Sequence, residues 1–432
     1  MLKIEKGVPE GFIALDNSAL IYPPTEAAFN ANTFRISIDL KEEIQPQRLK
    51  QALDDVLARC PYTKVTLKKG FYWYYLTPNA KDSIIHPEGS YPAGRFISKK
   101  NNGYLIRVLY SKHRIALECF HALSDGTGVL EILKLLVERY FAPEYPDLSF
   151  GGDLRYDEPV QEWEHSDPFQ TLFDPKLPGY PSYSKAYHYK GSPSFDERVK
   201  VISAKMKSAD LKKAANAYQL TIGQYVSALF IYALQELQLA QGGKMRKRKP
   251  IRLSVPMNLR RIFDVKTMRN FTLFAVVGIE TKRGYYSFEE IAHHVRFQMA
   301  LAQDKKAILS QIRRNVAGER ALALRFVPTI FKNPFFKLLS DHLGDQQYSG
   351  VISNLGHVNL PGKFEDLVQR MDFHLSPGLL NKVVLSAVGF KDEVILNFSS
   401  FFNTDTNLER IYCERLIHDH VPVEIASNRG EK

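Results

Sequence analysis

Residues Thr33–Leu40 (TFRISIDL) alternate apolar and polar side chains, which predicts a half-buried β-strand. Pro46-Gln47-Arg48 then opens a helix that runs through Leu57, with Leu49, Leu53, Val56 and Leu57 on one face and Pro61 as its stop. Tyr62–Lys69 and Phe71–Leu76 are two β-rich runs separated by a Lys68-Lys69-Gly70 turn. Tyr104–Tyr110 and Arg114–Phe120 form a second predicted hairpin around Ser111-Lys112-His113, and the apolar helix Val129–Tyr140 follows. Residues 143–198 are rich in Pro, Gly, Tyr and Asp without sustained periodicity, as expected of a long crossing segment.

After this segment the order begins again. Arg198–Met206 predicts a strand, and two helices follow, one begun by Ser208-Ala209-Asp210 and the other capped by Thr221. Ile251–Pro256 and Asn270–Glu280 are strand-like, Phe288–Lys305 is a predicted helix, and Pro328–Leu343 contains another, kinked near Pro334. Lys382–Phe390 and Glu393–Phe401 predict a hairpin around Lys391-Asp392, and Asn407–His418 a closing helix. The mixture predicts an α/β (α+β) protein in two lobes, residues 1–185 and 186–432, related by element order and not by a residue-level repeat.

The 432-residue chain has 44% hydrophobic and 24% charged residues, the composition of a folded protein. Its net charge of +11 suits an anionic ligand or acidic partner and does not by itself argue for nucleic acid. Cys60, Cys119 and Cys413 are too few and too scattered for a disulfide framework or a cysteine zinc site. Tyr225–Leu239, the most apolar stretch, is too short and too polar to span a bilayer, and the N-terminus has no secretory pattern, so a cytoplasmic protein is expected.

The chemistry-bearing motif is His121-Ala122-Leu123-Ser124-Asp125-Gly126. Of twelve histidines, only His121 has Asp at +4 and Gly at +5. A predicted strand leads into it and a hydrophobic helix leaves it, so the imidazole stands at a strand end beside a tight turn. A neutral His there can take a proton from a hydroxyl or amine attacking a carbonyl. Asp125 can pair with a cation and hold the turn or orient the ring, and Gly126 allows an approach that a Cβ would block. No G-x-S-x-G elbow and no obvious Cys–His pair is present.

HALSDG resembles the H-x-x-x-D-G signature of the acyltransferase superfamily related to chloramphenicol acetyltransferase, which includes non-ribosomal peptide condensation domains and alcohol acetyltransferases. Ser254-Val255-Pro256-Met257-Asn258-Leu259-Arg260 resembles that superfamily's strand-loop ending in Arg, and Asn270–Gly278 its following apolar strand. Ser353-Asn354-Leu355-Gly356 resembles a segment of the alcohol acetyltransferase branch. The resemblance covers about Leu20 to Leu416. It implies two chloramphenicol-acetyltransferase-like lobes, each a mixed sheet with helices, meeting at a substrate tunnel. His121 would be the general base there, with Asp125, Gly126 and Arg260 structural at the site and Arg260 the partner of Asp125. Ser353 and Asn354 would be candidates for a hydrogen bond to the thioester carbonyl or the oxyanion. Two features depart from the pattern: Phe120 stands where many condensation domains carry a second His, and the D-F-G-W-G motif of the superfamily's plant BAHD acyltransferases is absent.

The expected activity is transfer of an acyl group, acetyl foremost, from acyl-coenzyme A as co-substrate to a small alcohol or amine, by a monomer with no metal and no tightly bound cofactor. The alternatives are a donor carried by an acidic acyl carrier protein, which the net charge suits, and a non-catalytic module that keeps the fold. The basic run Lys244–Lys249 reads as a solvated loop, or else as an attractor of coenzyme A phosphates or such a carrier. His293-His294 and His418/His420 lack the spacing of a metal site. Tyr72-Trp73-Tyr74-Tyr75 reads as sheet packing and not base stacking, since no RNA-binding signature accompanies it.

Overall fold

The computed structural model describes residues 4–5, 8–9, 11–96, 98–147, 149–180, 182–191, 194, 196–321, 326–334 and 345–430. Two large sheets organise the molecule. One has five strands in the order Val368–Leu375, Thr33–Leu40, Arg114–Phe120, Ile106–Tyr110 and Ile85–Pro87. The other has seven, in the order Thr272–Ile279, Ile251–Asn258, Gly350–Val358, Val383–Phe390, Glu393–Ser400, Lys200–Lys207 and Glu424–Ser427. Gly350–Val358 pairs in parallel with both of its neighbours, and the remaining pairs of that sheet are antiparallel. The mixed α/β architecture expected from the sequence is the one present.

The split at 185/186 does not separate the two sheets. Val368–Leu375 leaves the second half of the chain and adds an edge to the first half's sheet, pairing antiparallel with Thr33–Leu40. No element was predicted there, because Arg370, Asp372 and His374 interrupt the apolar pattern.

Thr33–Leu40 is the strand expected, but it is buried on both faces rather than half-buried. Phe34, Ile36, Ile38 and Leu40 enter the first hydrophobic core, as the alternation requires. The opposite face is covered as well: Arg35 and Ser37 are buried. Cross-strand ion pairs make this tolerable. Arg35 lies opposite Glu118 and donates to it at 2.8 Å, while Arg114 and Asp39 pair across the same ladder. Buried charges persist only when paired and hydrogen-bonded in this way.

Helix Pro46–Arg59 starts with Pro at its first turn, where the missing N–H costs nothing. It packs against helix Gly126–Phe141, and both close over the five-stranded sheet through Leu49, Leu53, Val56, Val129, Leu133 and Leu136. Helix Ile222–Ala240, apolar on nearly all sides, lies in the second core with Phe288–Ala302 and Asn407–His418. Thr221 caps it in a reciprocal box with Gln224. The helix expected over Phe288–Lys305 is present as Phe288–Ala302, and a second, unpredicted helix, Lys305–Arg320, follows, its start fixed by Asp304, which accepts the Ala307 N–H at 3.0 Å. The helix expected in Pro328–Leu343 is seen over 329–334, and its continuation beyond Pro334 lies outside the described residues.

The turn before helix Gly126–Phe141 is closely packed. A Cβ on Gly128 would stand 2.5 Å from the Met268 carbonyl oxygen and collide with Ser124 Oγ. Gly128→Ala is therefore expected to lower stability by about 1–3 kcal/mol through overpacking, read as a reduced urea midpoint at unchanged m. An unchanged midpoint would show that the turn relaxes freely.

Candidate active site

Strand Arg114–Phe120 ends one residue before His121, and the His121 N–H donates to the Asn32 carbonyl at 2.9 Å. The imidazole is half-buried, stacked on Tyr22 at 4.4 Å and met edge-on by Phe34 at 4.9 Å. Its Nδ1 lies 2.9 Å from Asn270 Oδ1. The orientation of that amide follows from its other contacts. Asn270 Nδ2 donates to the His121 carbonyl at 3.0 Å and to Asp16 Oδ2 at 3.1 Å, so Oδ1 must face the ring and accept. Nδ1 then carries the proton, which leaves the lone pair on Nε2. Nε2 has no hydrogen-bond partner among the described residues.

Burial is the largest influence on His121 and pushes its pKa below the ordinary 6.5; Asp125, the Asn270 bond and Asp16 oppose this without overcoming it. The neutral form of the ring is thus favoured at pH 7. Asp16, itself fully buried, has its pKa raised by desolvation despite Arg269 at 3.4 Å and its hydrogen bonds from Asn270 and the Ala19 N–H.

Asp125 turns away from this chemistry. Its carboxylate receives both terminal nitrogens of Arg260 at 2.9 and 3.0 Å, the Phe271 N–H and Thr272 Oγ1 at 2.9 Å each, and the Gly128 N–H at 3.1 Å. Burial alone would raise its pKa, but the Arg260 guanidinium and these donors hold it below the usual carboxylate range. Asp125 also caps helix Gly126–Phe141, so it ties the motif turn to the second half of the chain. Arg260 is held on its other edge by the Thr267 and Arg269 carbonyls, whereas the adjacent Arg261 is exposed. Of two neighbouring arginines, the first points inward.

A Cβ on Gly126 would meet Leu355 Cδ2 at 3.0 Å, so the Ser353–Gly356 segment crosses directly over the start of the motif helix. Ser353 is half-buried with no side-chain hydrogen bond among the described residues. Asn354 is exposed, and its Oδ1 accepts the Gly356 N–H at 2.8 Å. The strand bulges between Asn354 and His357, with Gly356 at φ +79°. His121, Asp125, Gly126 and Arg260 thus meet in one cluster, with Leu355 carrying the fourth sequence segment to its edge.

Asn270, Asp16 and Gly128 were missed from sequence. Asn270 stood only as the first residue of an expected strand, 149 positions from the ring it orients. The basic run Lys244–Lys249 is exposed around the turn Met245–Lys247, at the far end of strand Ile251–Asn258 from Arg260, roughly 25 Å away.

Replacing Asn270 by Ala is expected to lower kcat roughly 10- to 100-fold, because the ring loses its fixed tautomer and aim. KM is expected to change little. A fall confined to KM would remove Asn270 from ring positioning.

No protein-family model matches this chain, and no curated protein matches it. Solved structures do. The chain is similar to Fusarium graminearum TRI101 complexed with coenzyme A and T-2 mycotoxin, at 11% identity and TM-score 0.62, covering 96% of this chain and 100% of that one. It is similar to the TRI3 trichothecene 15-O-acetyltransferase of Fusarium sporotrichioides, at 12% identity and TM-score 0.60 over 94% of each chain. It also resembles the first condensation domain of the calcium-dependent antibiotic synthetase, at 14% identity and TM-score 0.58, over 95% and 96%. The fold is that of these acetyltransferases and condensation domains, as the sequence motif led us to expect.

Proposed function

We propose that the protein is an acyltransferase that moves an acyl group, acetyl foremost, from a coenzyme A thioester to a hydroxyl or amine. The observation that carries this is His121 held with Nδ1–H on Asn270 and Nε2 without a partner among the described residues, within a fold shared with acetyltransferases. In this reading Nε2 takes the proton from the acceptor O–H or N–H as its lone pair attacks the thioester carbonyl. The tetrahedral intermediate expels thiolate, and the imidazolium returns the proton to sulfur. Ser353 Oγ, without a hydrogen bond among the described residues, is a candidate donor to the oxyanion, and Asn354 is a second through Nδ2, its Oδ1 being the atom that accepts the Gly356 N–H. Arg260, Asp125 and Gly126 hold the turn. The functional halves are 1–185 and 186–432, with Val368–Leu375 crossing over, acting as a monomer around an acceptor–donor tunnel.

The likeness to condensation domains, together with the +11 charge, favours one second reading, a donor borne by an acidic carrier protein. Among the described residues no helix is long and apolar enough to cross a membrane.

The test is acceptor-dependent thiol release from a panel of acyl-coenzyme A donors with small alcohols and amines. Release is expected with at least one pair. Release only from carrier-loaded acyl groups would move the assignment to the second reading, and none from either donor would contradict acyl transfer.

The pH profile gives a further check. Protonating Nε2 removes the base, so kcat/KM falls as pH drops through the His121 pKa. Because that pKa is depressed, more than half of full activity is expected to remain at pH 6.5, where an unshifted imidazole is half protonated. A midpoint above 6.5 would contradict the assigned environment.

A further inference from the structure

The residues 65–78 (VTLKKGFYWYYLTP) and 326–334 (FVPTIFKNP) contain no acidic side chain. The fold brings them together. Thr329 donates its N–H to the Phe71 carbonyl at 2.7 Å and its hydroxyl to the Gly70 carbonyl at 2.9 Å. Lys332 Nζ reaches the Tyr72 carbonyl at 2.9 Å and lies 3.4 Å from the centre of the Trp73 ring, and Asn333 donates to the Tyr74 hydroxyl at 2.8 Å. The polar groups of this junction are thus satisfied inward, with Thr329 and Lys332 buried.

The apolar groups face out. Phe71, Phe326, Ile330 and Phe331 are 66–70% exposed, and Tyr72 is 42% exposed. Tyr72 touches both Phe71 and Phe326 edge-on, so these side chains form one patch. Phe12, 68% exposed, flanks it through Tyr75 at 5.9 Å. Such a group of rings exposes on the order of 600 Å² of apolar surface, at the upper end for a monomer. The exposed Lys68 and Lys69 end the first strand of the same hairpin, beside its turn. The sequence had predicted Phe71–Leu76 as a strand whose aromatics pack in a sheet. Instead the strand begins at Tyr74, and residues 70–73 form the projecting tip.

We propose that this tip is a docking surface for lipid bilayers carrying anionic headgroups. Aromatic rings beside lysines, without acids, suit the headgroup–acyl boundary, where the rings insert and the cations pair with phosphate. A second copy of the chain is the poorer occupant, because it presents the same cations and no compensating acid from these segments. An acidic soluble protein would use the lysines but leave the rings without a partner.

The test is cosedimentation of the full chain with phosphatidylcholine vesicles, alone or mixed with phosphatidylglycerol. Wild type is expected to bind the mixed vesicles ~10-fold or more tightly than the neutral ones, and Phe71→Ser/Phe331→Ser to lose ~10-fold or more of that binding. Ile330→Glu, a single change at another exposed position of the patch, is expected to weaken binding in the same direction. Phe297→Ser/Leu301→Ser, which removes exposed apolar groups from helix Phe288–Ala302, is expected to bind like wild type. Wild type left in the supernatant with both vesicle types would overturn the proposal. So would binding that both patch variants retain and salt abolishes, which is mere adsorption of a cationic protein. A lipid-free, concentration-dependent dimer that the patch variants abolish would assign the surface to a second copy instead.

Discussion

Asp125→Ala is expected to destabilise the protein by about 3–5 kcal/mol, the scale of removing one partner from a buried ion pair. The substitution strands several groups at once. Arg260, only 11% exposed in its side chain, keeps its charge and loses a bidentate acceptor. The Phe271 and Gly128 N–H groups and the Thr272 hydroxyl each lose theirs. Helix Gly126–Phe141 loses its cap. Activity is expected to fall with the fold, because the same bonds join the motif turn to the segment bearing Asn270. Urea denaturation followed by circular dichroism measures the first effect. Asp125→Asn separates charge from shape and is expected to cost less, as it keeps one of the two acceptor oxygens. A loss below about 1 kcal/mol for Asp125→Ala, the scale of an exposed pair, would contradict the structural role.

His121→Ala is expected to behave in the opposite way: a small change in stability and a loss of turnover of ~10²-fold or more, the usual scale for removing a general base. Among the described residues the ring makes one side-chain hydrogen bond, to Asn270, and pairs with no charge, so its removal strands no buried ion. The contrast between the two variants separates a residue that holds the turn from one that moves a proton. Equal losses of stability in both would undo that division.

The motif was legible because its parts are local. His121, Asp125 and Gly126 lie within six residues, and the strand before them and helix after them show in the apolar periodicity. Arg260 was reachable through resemblance, but not its choice over Arg261, which depends on the Thr267 and Arg269 carbonyls closing around one guanidinium. Asn270 and Asp16 were illegible because a hydrogen bond between distant segments leaves no periodic trace. The crossing strand Val368–Leu375 was illegible for another reason. A charged residue in a strand reads as solvent-facing, yet Asp372 is buried against Arg370 and Arg114, and Asn397 donates to it across the sheets. Paired burial inverts the pattern on which such readings rest.

The low pKa of Asp125 gives the site an acid limit of its own. A carboxylate whose folded pKa is depressed contributes stability that is present above the unfolded value and lost as pH falls through the folded one. Loss of activity as pH falls below 6.5 therefore belongs to His121, and loss of the fold below the ordinary carboxylate range belongs to Asp125.

The most direct test is acceptor-dependent thiol release measured in parallel for wild type and His121→Ala, both shown to be folded. The account predicts release by wild type and a loss of ~10²-fold or more in the variant. Equal release by both proteins would contradict the role of His121 as the base.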